Sequence, residues 1–189
     1  MSAVKLIPAS GGGSVSLAPP NSTSGSDVTI TMPSTSQTLG GSTGKILQVL
    51  STTKSDTAST SATSFTDIGI SQAITPSSSS SKILISYNLY LSHTQSNTSH
   101  INLVRGSTNI AQPANTSGSA PATTSIYIGA LLMIQHNMSY LDSPSYTLGD
   151  TITYKLQWHT DAHTIYLNRW QGNDNYHGIS TLTLMEVAA

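Results

Sequence analysis

Apolar and polar side chains alternate with a period of two along much of the chain after Lys45. In the segment Thr151–His159 the apolar side chains share one face: Ile152, Tyr154, Leu156 and Trp158. In Lys82–Ser92 five apolar side chains do the same: Ile83, Ile85, Tyr87, Leu89 and Leu91. A period of two is typical of a β-strand with one buried face. These two segments therefore predict half-buried strands.

Similar strand signals, separated by turn residues, recur through the rest of this region. The predicted strands are Lys45–Thr52, Ser64–Ile74, Lys82–Ser92, His100–Gly106, Ser125–Gln135, Met138–Leu141, Thr151–His159, His163–Trp170 and Ile179–Val187. Eight or nine short strands without a helical period favour an all-β fold, a jelly-roll β-sandwich. Because the chain ends almost directly after Val187, we expect the last strand to lie inside a sheet.

The stretch Ile126–Ile134 differs from its neighbours because both of its faces are apolar. One face can pack on the sandwich core, but the other needs a cover. In a single-domain protein the expected cover is another copy of the same chain. The sequence therefore predicts a homo-oligomer, with these candidate interface residues: Tyr127, Ile128, Leu131, Leu132 and Ile134.

The N-terminal part of the chain has a different composition. Ala9–Gly44 is dense in Gly, Ser, Thr and Pro, and such a segment cannot bury enough apolar surface to fold alone. We predict an extended N-terminal anchoring arm over residues 1–44 and a jelly-roll domain over residues 45–189. A disordered linker is the alternative interpretation of the arm. The candidate anchoring residues are Val15, Leu17, Val28, Ile30 and Met32.

Composition narrows the class of protein. Ser and Thr make up 59 of the 189 residues and only 8% are charged, so hydroxyl groups keep the surface soluble, as in extracellular or virion β-proteins. The absence of cysteine excludes disulfides and thiolate metal sites. A net charge of -1 gives no field that would attract nucleic acid. No apolar stretch approaches the roughly 20 residues of a membrane span, so we expect no membrane partner.

Sequence signals for catalysis and metal binding are few. Glu186 is the only glutamate and no G-x-S-x-G motif is present, so we predict no enzymatic activity. His159, Asp161 and His163 form H-x-D-x-H, which offers two imidazoles and a carboxylate to a metal ion if Thr160–Ala162 is a hairpin turn. The simpler interpretation is a polar hairpin tip. We therefore predict no cofactor and no bound metal.

Aromatic and amide side chains gather near two adjacent predicted loops. The candidate glycan-binding residues are Trp158, Tyr166, Trp170, Asn173, Asp174 and Tyr176. Aromatic faces stack on the apolar face of a sugar, and planar polar groups bond its hydroxyls. The competing interpretation places Trp158 in the core and Trp170 in an interface.

Several segments follow one another in a recognisable order over Gly44–Ala188. They are GKILQVLSTTKSDTASTSATSFTDIGISQAITPSSSSSKILI, LVRGSTNI, SYLDSP, TYKLQ, YLNRW and STLTLMEVA. Together they resemble a module of virion surface proteins of marine and freshwater tailed phages, cyanophages especially. Such modules are similar to the trimeric jelly rolls of the tumour-necrosis-factor and complement globular-head type, carried on an N-terminal anchor. The chain departs from the usual module around His159–His163 and at Trp170.

The resemblance implies a homotrimeric structural protein of the virion, located on the capsid or tail surface. As a head decoration or short head fibre, it would bind capsid proteins through its arm and project a β-sandwich knob. The alternative is a receptor-binding tail-fibre knob that recognises a host surface glycan. The short arm favours the first function, because a tail fibre usually needs a long shaft.

Overall fold

The computed structural model describes residues 4–6, 15–17, 45–114, 121–172 and 175–188. All regular elements in these ranges are β-strands. In the same ranges, no helix is long and apolar enough to cross a membrane. The chain divides into two compact units, Met1–Gly41 and Ser42–Ala189.

The first unit contains a short antiparallel pair. Strand β1 (Val4–Leu6) pairs with β2 (Val15–Leu17), with Val4 opposite Leu17. The candidate anchoring residues Val15 and Leu17 thus lie on β2. The other three, Val28, Ile30 and Met32, lie outside the described residues.

The second unit contains two antiparallel sheets. Its strands are β3 (Ile46–Lys54), β4 (Ala58–Thr60), β5 (Thr66–Ile74), β6 (Lys82–His93), β7 (Asn97–Arg105), β8 (Thr108–Ile110), β9 (Thr124–Ile128), β10 (Met133–Asp142), β11 (Ile152–Thr160), β12 (Ile165–Leu167) and β13 (Ser180–Val187). The first sheet has the order β3-β13-β6-β12-β4, and β10 also pairs with β6. The second has the order β5-β11-β7-β8, and β9 also pairs with β7. The last strand lies between β3 and β6, as predicted.

The two sheets enclose one hydrophobic core in a sandwich-like arrangement. Both alternating segments bury the predicted face: all five apolar positions of β6 and all four of β11 are buried. The same core contains Ile68, Ile70, Ile101, Leu103, Leu182 and Leu184 from three further strands. The predicted all-β class is therefore confirmed, and burial of these alternating faces is the main force that holds the sheets together.

The predicted single strand Ser125–Gln135 was wrong. β9 ends at Ile128 in the second sheet, and β10 begins at Met133 in the first. Between them the chain turns through Leu131, whose backbone has a φ of 63°. An apolar run of this length cannot be distinguished by periodicity from two strands that belong to different sheets. The chain here crosses from one layer of the sandwich to the other.

The predicted strand His163–Trp170 is also shorter than expected, because only β12 is regular. Leu91 of β6 pairs with Ile134 of β10 on one side and with Leu167 of β12 on the other. β12 therefore lies on the same side of β6 as β13. The connection between β12 and β13, of which residues 168–172 and 175–179 are described, is inserted between two strand segments that together run along β6.

Two buried carboxylates close one end of the sandwich. Glu186 and Asp142 pair with the same residue, Ile83, from opposite sides of β6. Glu186 accepts hydrogen bonds from the Ser77 backbone at 2.8 Å, Ser81 Oγ at 2.6 Å and Gln48 Nε2 at 2.7 Å. Burial raises the pKa of Glu186, but these hydrogen bonds outweigh it and hold the pKa below its usual range.

Asp142 joins the two sheets at this end. Arg105 Nη1 of β7 donates to both of its carboxylate oxygens, at 2.8 and 2.7 Å, and Tyr154 Oη of β11 donates to Oδ2 at 2.7 Å. Burial, together with the hydrogen bond to Asp142, raises the pKa of Tyr154 well above its ordinary value. The phenol is thus a neutral donor, and its hydrogen bond persists at any physiological pH.

We expect Glu186→Gln to lower the free energy of unfolding at pH 7 by about 2–3 kcal/mol. The reason is that the amide nitrogen of glutamine is a donor, and it would face groups that now donate to a carboxylate oxygen. The folded-state pKa lies below the ordinary value of 4.5, so the contribution of Glu186 is complete above that pH and is lost as the pH falls further. Urea unfolding at pH 7 and pH 3.5 should therefore show a smaller acid loss for the variant than for the wild type.

The matched control is Asp56→Asn, which removes an exposed carboxylate bound to Lys54. Such surface pairs contribute little to stability, so this variant should unfold like the wild type at pH 7. A Glu186→Gln protein as stable as the wild type at pH 7 would contradict the assignment.

Candidate functional site

The loop between β12 and β13 is attached to the first sheet by Asn168. Its buried side chain donates from Nδ2 to the carbonyls of Lys54 and Asp56, at 2.8 and 3.0 Å, and accepts from Ser180 Oγ at 2.6 Å. Its φ of 59° lies in the left-handed region, which Asn tolerates better than most residues. These bonds pair polar groups at the point where the strand pairing is interrupted between β12 and β13. The loop can therefore leave the sheet without leaving those groups unpaired.

Trp170 lies in this loop, three residues after the end of β12. Its ring packs over Gly172, where an added Cβ would lie 2.2 Å from the ring, and meets Tyr176 edge-on at 5.9 Å between centroids. Its indole Nε1 donates to the carbonyl of Leu131 at 3.0 Å. The loop and the turn between β9 and β10 thus form one surface, which we call the aromatic surface: Leu131, Leu132, Trp170 and Tyr176.

A pocket lies beside the same loop. It has a volume of about 460 Å³ and is lined by Ser55, Tyr90, His177, Gly178 and Ile179. Gly178 packs directly against the Tyr90 ring, since an added Cβ would lie 2.5 Å from it. The volume lies within the range of small-ligand pockets, and the lining combines a ring face with a hydroxyl and an imidazole.

The four candidate glycan-binding residues that the structure describes do not form a single site. Trp158 is in the core, with 2% of its surface exposed. Tyr166 lies half-buried under the Arg169 guanidinium, 4.7 Å from its ring centroid. Trp170 and Tyr176 lie together on the aromatic surface. Asn173 and Asp174 lie outside the described residues.

The five candidate interface residues also separate. Tyr127, Leu131 and Leu132 are exposed, at 68%, 64% and 52%. Ile128 is buried in the core of its own chain, and Ile134 is partly buried against that core. The hydrogen bond from Trp170 to Leu131 joins two predicted sites that the sequence analysis treated as separate, because the residues are 39 positions apart.

A further apolar surface was missed in the sequence analysis. On the outer face of the first sheet, Met185 pairs with Val49 on one side and Leu84 on the other, and Leu84 pairs with Leu141. We call these four residues the apolar row. Val49 and Leu141 are 53% and 47% exposed. The signal was present as outward apolar positions on separate strands, but only the register aligns them.

The next row on the same face is polar throughout. Ser51 and Thr183 hydroxyls lie 2.9 Å apart, and Ser139 Oγ donates to Ser86 Oγ at 3.2 Å. The register places all four side chains directly beside the apolar row. The outer face of this sheet is therefore a stripe of apolar side chains next to a stripe of paired hydroxyls, without a charged group in either.

The structure divides the predicted H-x-D-x-H motif. His163 is exposed in the turn after β11, with a φ of 66°. His159 instead pairs across the sheet with His100 of β7, and Asp161 Oδ1 lies 3.0 Å from His100 Nε2. Burial and the neighbouring His100 both lower the pKa of His159. Sequence reasoning missed His100 because it belongs to a distant strand.

Comparison with known proteins adds no family assignment. No protein-family model matches the chain, and no curated protein matches it.

Proposed function

We propose that this chain is a structural protein of a tailed-phage virion, a homotrimeric head decoration or short head fibre. In this proposal residues 1–44 attach the protein to capsid or tail proteins, and residues 45–189 form a projecting jelly-roll knob. The location on a virion rests on the resemblance of Gly44–Ala188 to phage surface modules. The self-association rests on the apolar row.

Strand pairing supports the jelly roll. The eight principal strands in chain order are β3, β5, β6, β7, β9, β10, β11 and β13. They pair first with last, second with seventh, third with sixth and fourth with fifth: β3–β13, β5–β11, β6–β10 and β7–β9. This nested pairing is what a long antiparallel ribbon produces when it is wound into a two-sheet roll. β4, β8 and β12 are short additions to it.

The apolar row is the observation that carries the assembly. It crosses four strands of one sheet, and no described segment of the chain covers it. A row of apolar side chains, of which Val49 and Leu141 are about half exposed, lies beside hydrogen-bonded hydroxyls and can pack against a second copy without desolvating a charge. A closed ring of identical copies would bury the row on every chain at once.

The surface composition agrees with a structural role. Only 8% of the residues are charged, whereas 59 of the 189 are Ser or Thr. Such a surface gives no strong electrostatic attraction to other macromolecules. A protein that is exposed in many copies on a particle benefits from weak electrostatic attraction, because particles then have less tendency to bind other macromolecules nonspecifically.

We expect the full chain to sediment as a trimer at micromolar concentration and Val49→Glu to sediment as a monomer. A carboxylate in the apolar row would be buried without a partner, which should weaken association about tenfold or more. Thr153→Glu, on the exposed face of β11 in the other sheet, is the control and should remain trimeric.

Two results would count against this interface. A monomeric wild type would remove the homotrimer altogether. If Val49→Glu stays trimeric while Leu132→Asp becomes monomeric, the interface lies on the aromatic surface.

Deletion of Ser2–Gly44 should leave a folded trimeric knob that no longer enters virions. The reason is that the second compact unit, Ser42–Ala189, has its own core. Quantitative mass spectrometry of purified particles, with full-length protein as the reference, measures the copy number. Incorporation of the truncated knob at the full-length copy number would place the attachment site on the β-sandwich.

The second candidate function is a receptor-binding knob, and the aromatic surface with its neighbouring pocket favours it. Trp170 and Tyr176 present rings at right angles beside the pocket that contains Tyr90. Ring faces of this kind bind the apolar faces of sugars. Three copies in a trimer would raise a weak per-site affinity through avidity.

A titration with host-envelope polysaccharide distinguishes the two functions. The receptor-binding function predicts weak binding, on the order of millimolar per site, that Trp170→Ala abolishes. Tyr127→Ala, which removes an exposed aromatic elsewhere, should bind like the wild type. If neither the wild type nor the control binds, the structural function stands alone.

A further inference from the structure

Three rings are packed in series on the outer face of the second sheet. His159 of β11 lies directly opposite His100 of β7, and their imidazoles are nearly parallel, with centroids 4.3 Å apart. Phe65 meets the same His159 ring at right angles, with centroids 4.5 Å apart. His159 is therefore held between a second imidazole and an apolar ring.

His159 is buried and has unsatisfied polar atoms. Only 2% of its surface is exposed, and neither Nδ1 nor Nε2 has a hydrogen-bond partner in the structure. Nearly all buried polar groups in proteins are paired, so a buried ring with two unpaired nitrogens requires an explanation. A lone pair on one of them is available to a ligand.

His100 and Asp161 lie beside that ring with complementary chemistry. His100 Nδ1 lies 2.7 Å from Ser125 Oγ on β9, and His100 Nε2 lies 3.0 Å from Asp161 Oδ1. If Nδ1 donates to the serine, the Nε2 lone pair faces a carboxylate oxygen, and a positive charge between them is favourable. Metal-ligating histidines generally donate their other ring N–H to an oxygen acceptor, and Ser125 Oγ is placed to be that acceptor for His100.

The three side chains bring their ligand atoms close together. One ring nitrogen of each histidine and one oxygen of Asp161 all lie within 4.8 Å of one another. A tetrahedral zinc site holds nitrogen and oxygen ligands at about 2.0–2.2 Å from the metal, which places them roughly 3.3 Å apart. Because the two imidazoles are nearly parallel, their lone pairs do not converge, so the rings must open toward Asp161 for a nitrogen of each to reach the same ion.

We propose that His100, His159 and Asp161 bind a divalent transition-metal ion of the zinc type, with water as the fourth ligand. Two imidazoles and one carboxylate suit zinc, cobalt, nickel or copper better than the oxygen-seeking calcium and magnesium. The Asp161 side chain is 56% exposed, so the ion can enter from solvent. The site does not depend on the proposed function.

The structural consequence is a cross-link between two strands and the turn that follows β11. His100 and His159 lie on paired strands, and Asp161 begins the turn. A metal ion that binds only the folded arrangement stabilises it by mass action. The expected effect is a rise in melting temperature that depends on metal concentration.

The test uses the untagged full chain, freed of metal with a chelator and then titrated with Co²⁺. We expect the visible absorption of tetrahedral cobalt, saturation at one ion per chain, and displacement by Zn²⁺. Zn²⁺ should also raise the melting temperature of the wild type.

Three variants remove one ligand each: His100→Gln, Asp161→Asn and His159→Phe. Each should weaken metal binding about tenfold or more and abolish the thermal shift. In His159→Phe the phenyl ring can still stack on His100 and has no nitrogens to leave unpaired. We therefore expect this variant to fold without metal. If it fails to fold, the other two variants decide, since their side chains reach the surface.

His163→Gln is the matched control, because it removes the third residue of the H-x-D-x-H motif, which lies in the exposed turn. It should bind Co²⁺ like the wild type. The proposal is overturned if the wild type shows no saturable binding, or if His100→Gln and Asp161→Asn bind with unchanged affinity.

Discussion

The buried carboxylate of Glu186 holds together parts of the chain that no single strand pairing connects. It lies on β13, accepts from Gln48 on β3, and fixes the segment between β5 and β6 through Ser77 and Ser81. The described residues compensate its charge with neutral donors rather than with a cation. A buried charge is tolerated only when its hydrogen bonds are complete, so this end of the sandwich must adopt one arrangement.

Asp142 extends this constraint to the second sheet. It flanks Ile83 on the side opposite Glu186 and receives Arg105 and Tyr154 from the facing layer. The two carboxylates thus close the same end of the core, one within a sheet and one between sheets. Hydrophobic burial is non-directional, whereas these charged groups have fixed partners. They therefore fix how the two sheets are positioned against each other, which burial of apolar side chains alone does not determine.

Much of the fold was predictable because alternation is a local property. The inward faces of β6 and β11 follow from residues two apart, and such spacing needs no knowledge of partners. The break at Leu131 was not predictable in this way. An apolar run has the same pattern whether it is one strand with two covered faces or two strands in different layers. Only the location of the neighbouring strands decides between these.

The candidate sites depended far more on tertiary structure. By itself, the sequence determined the all-β class, the inward faces of the long strands and the presence of aromatic and histidine residues near the C-terminal loops. The tertiary structure decided that Trp158 is core, that Trp170 meets Leu131, and that the partner of His159 is His100. It also aligned the four residues of the apolar row. The physical reason is register: antiparallel pairing places side chains from distant segments within a few ångströms, and a shift of one residue would turn them to the other face.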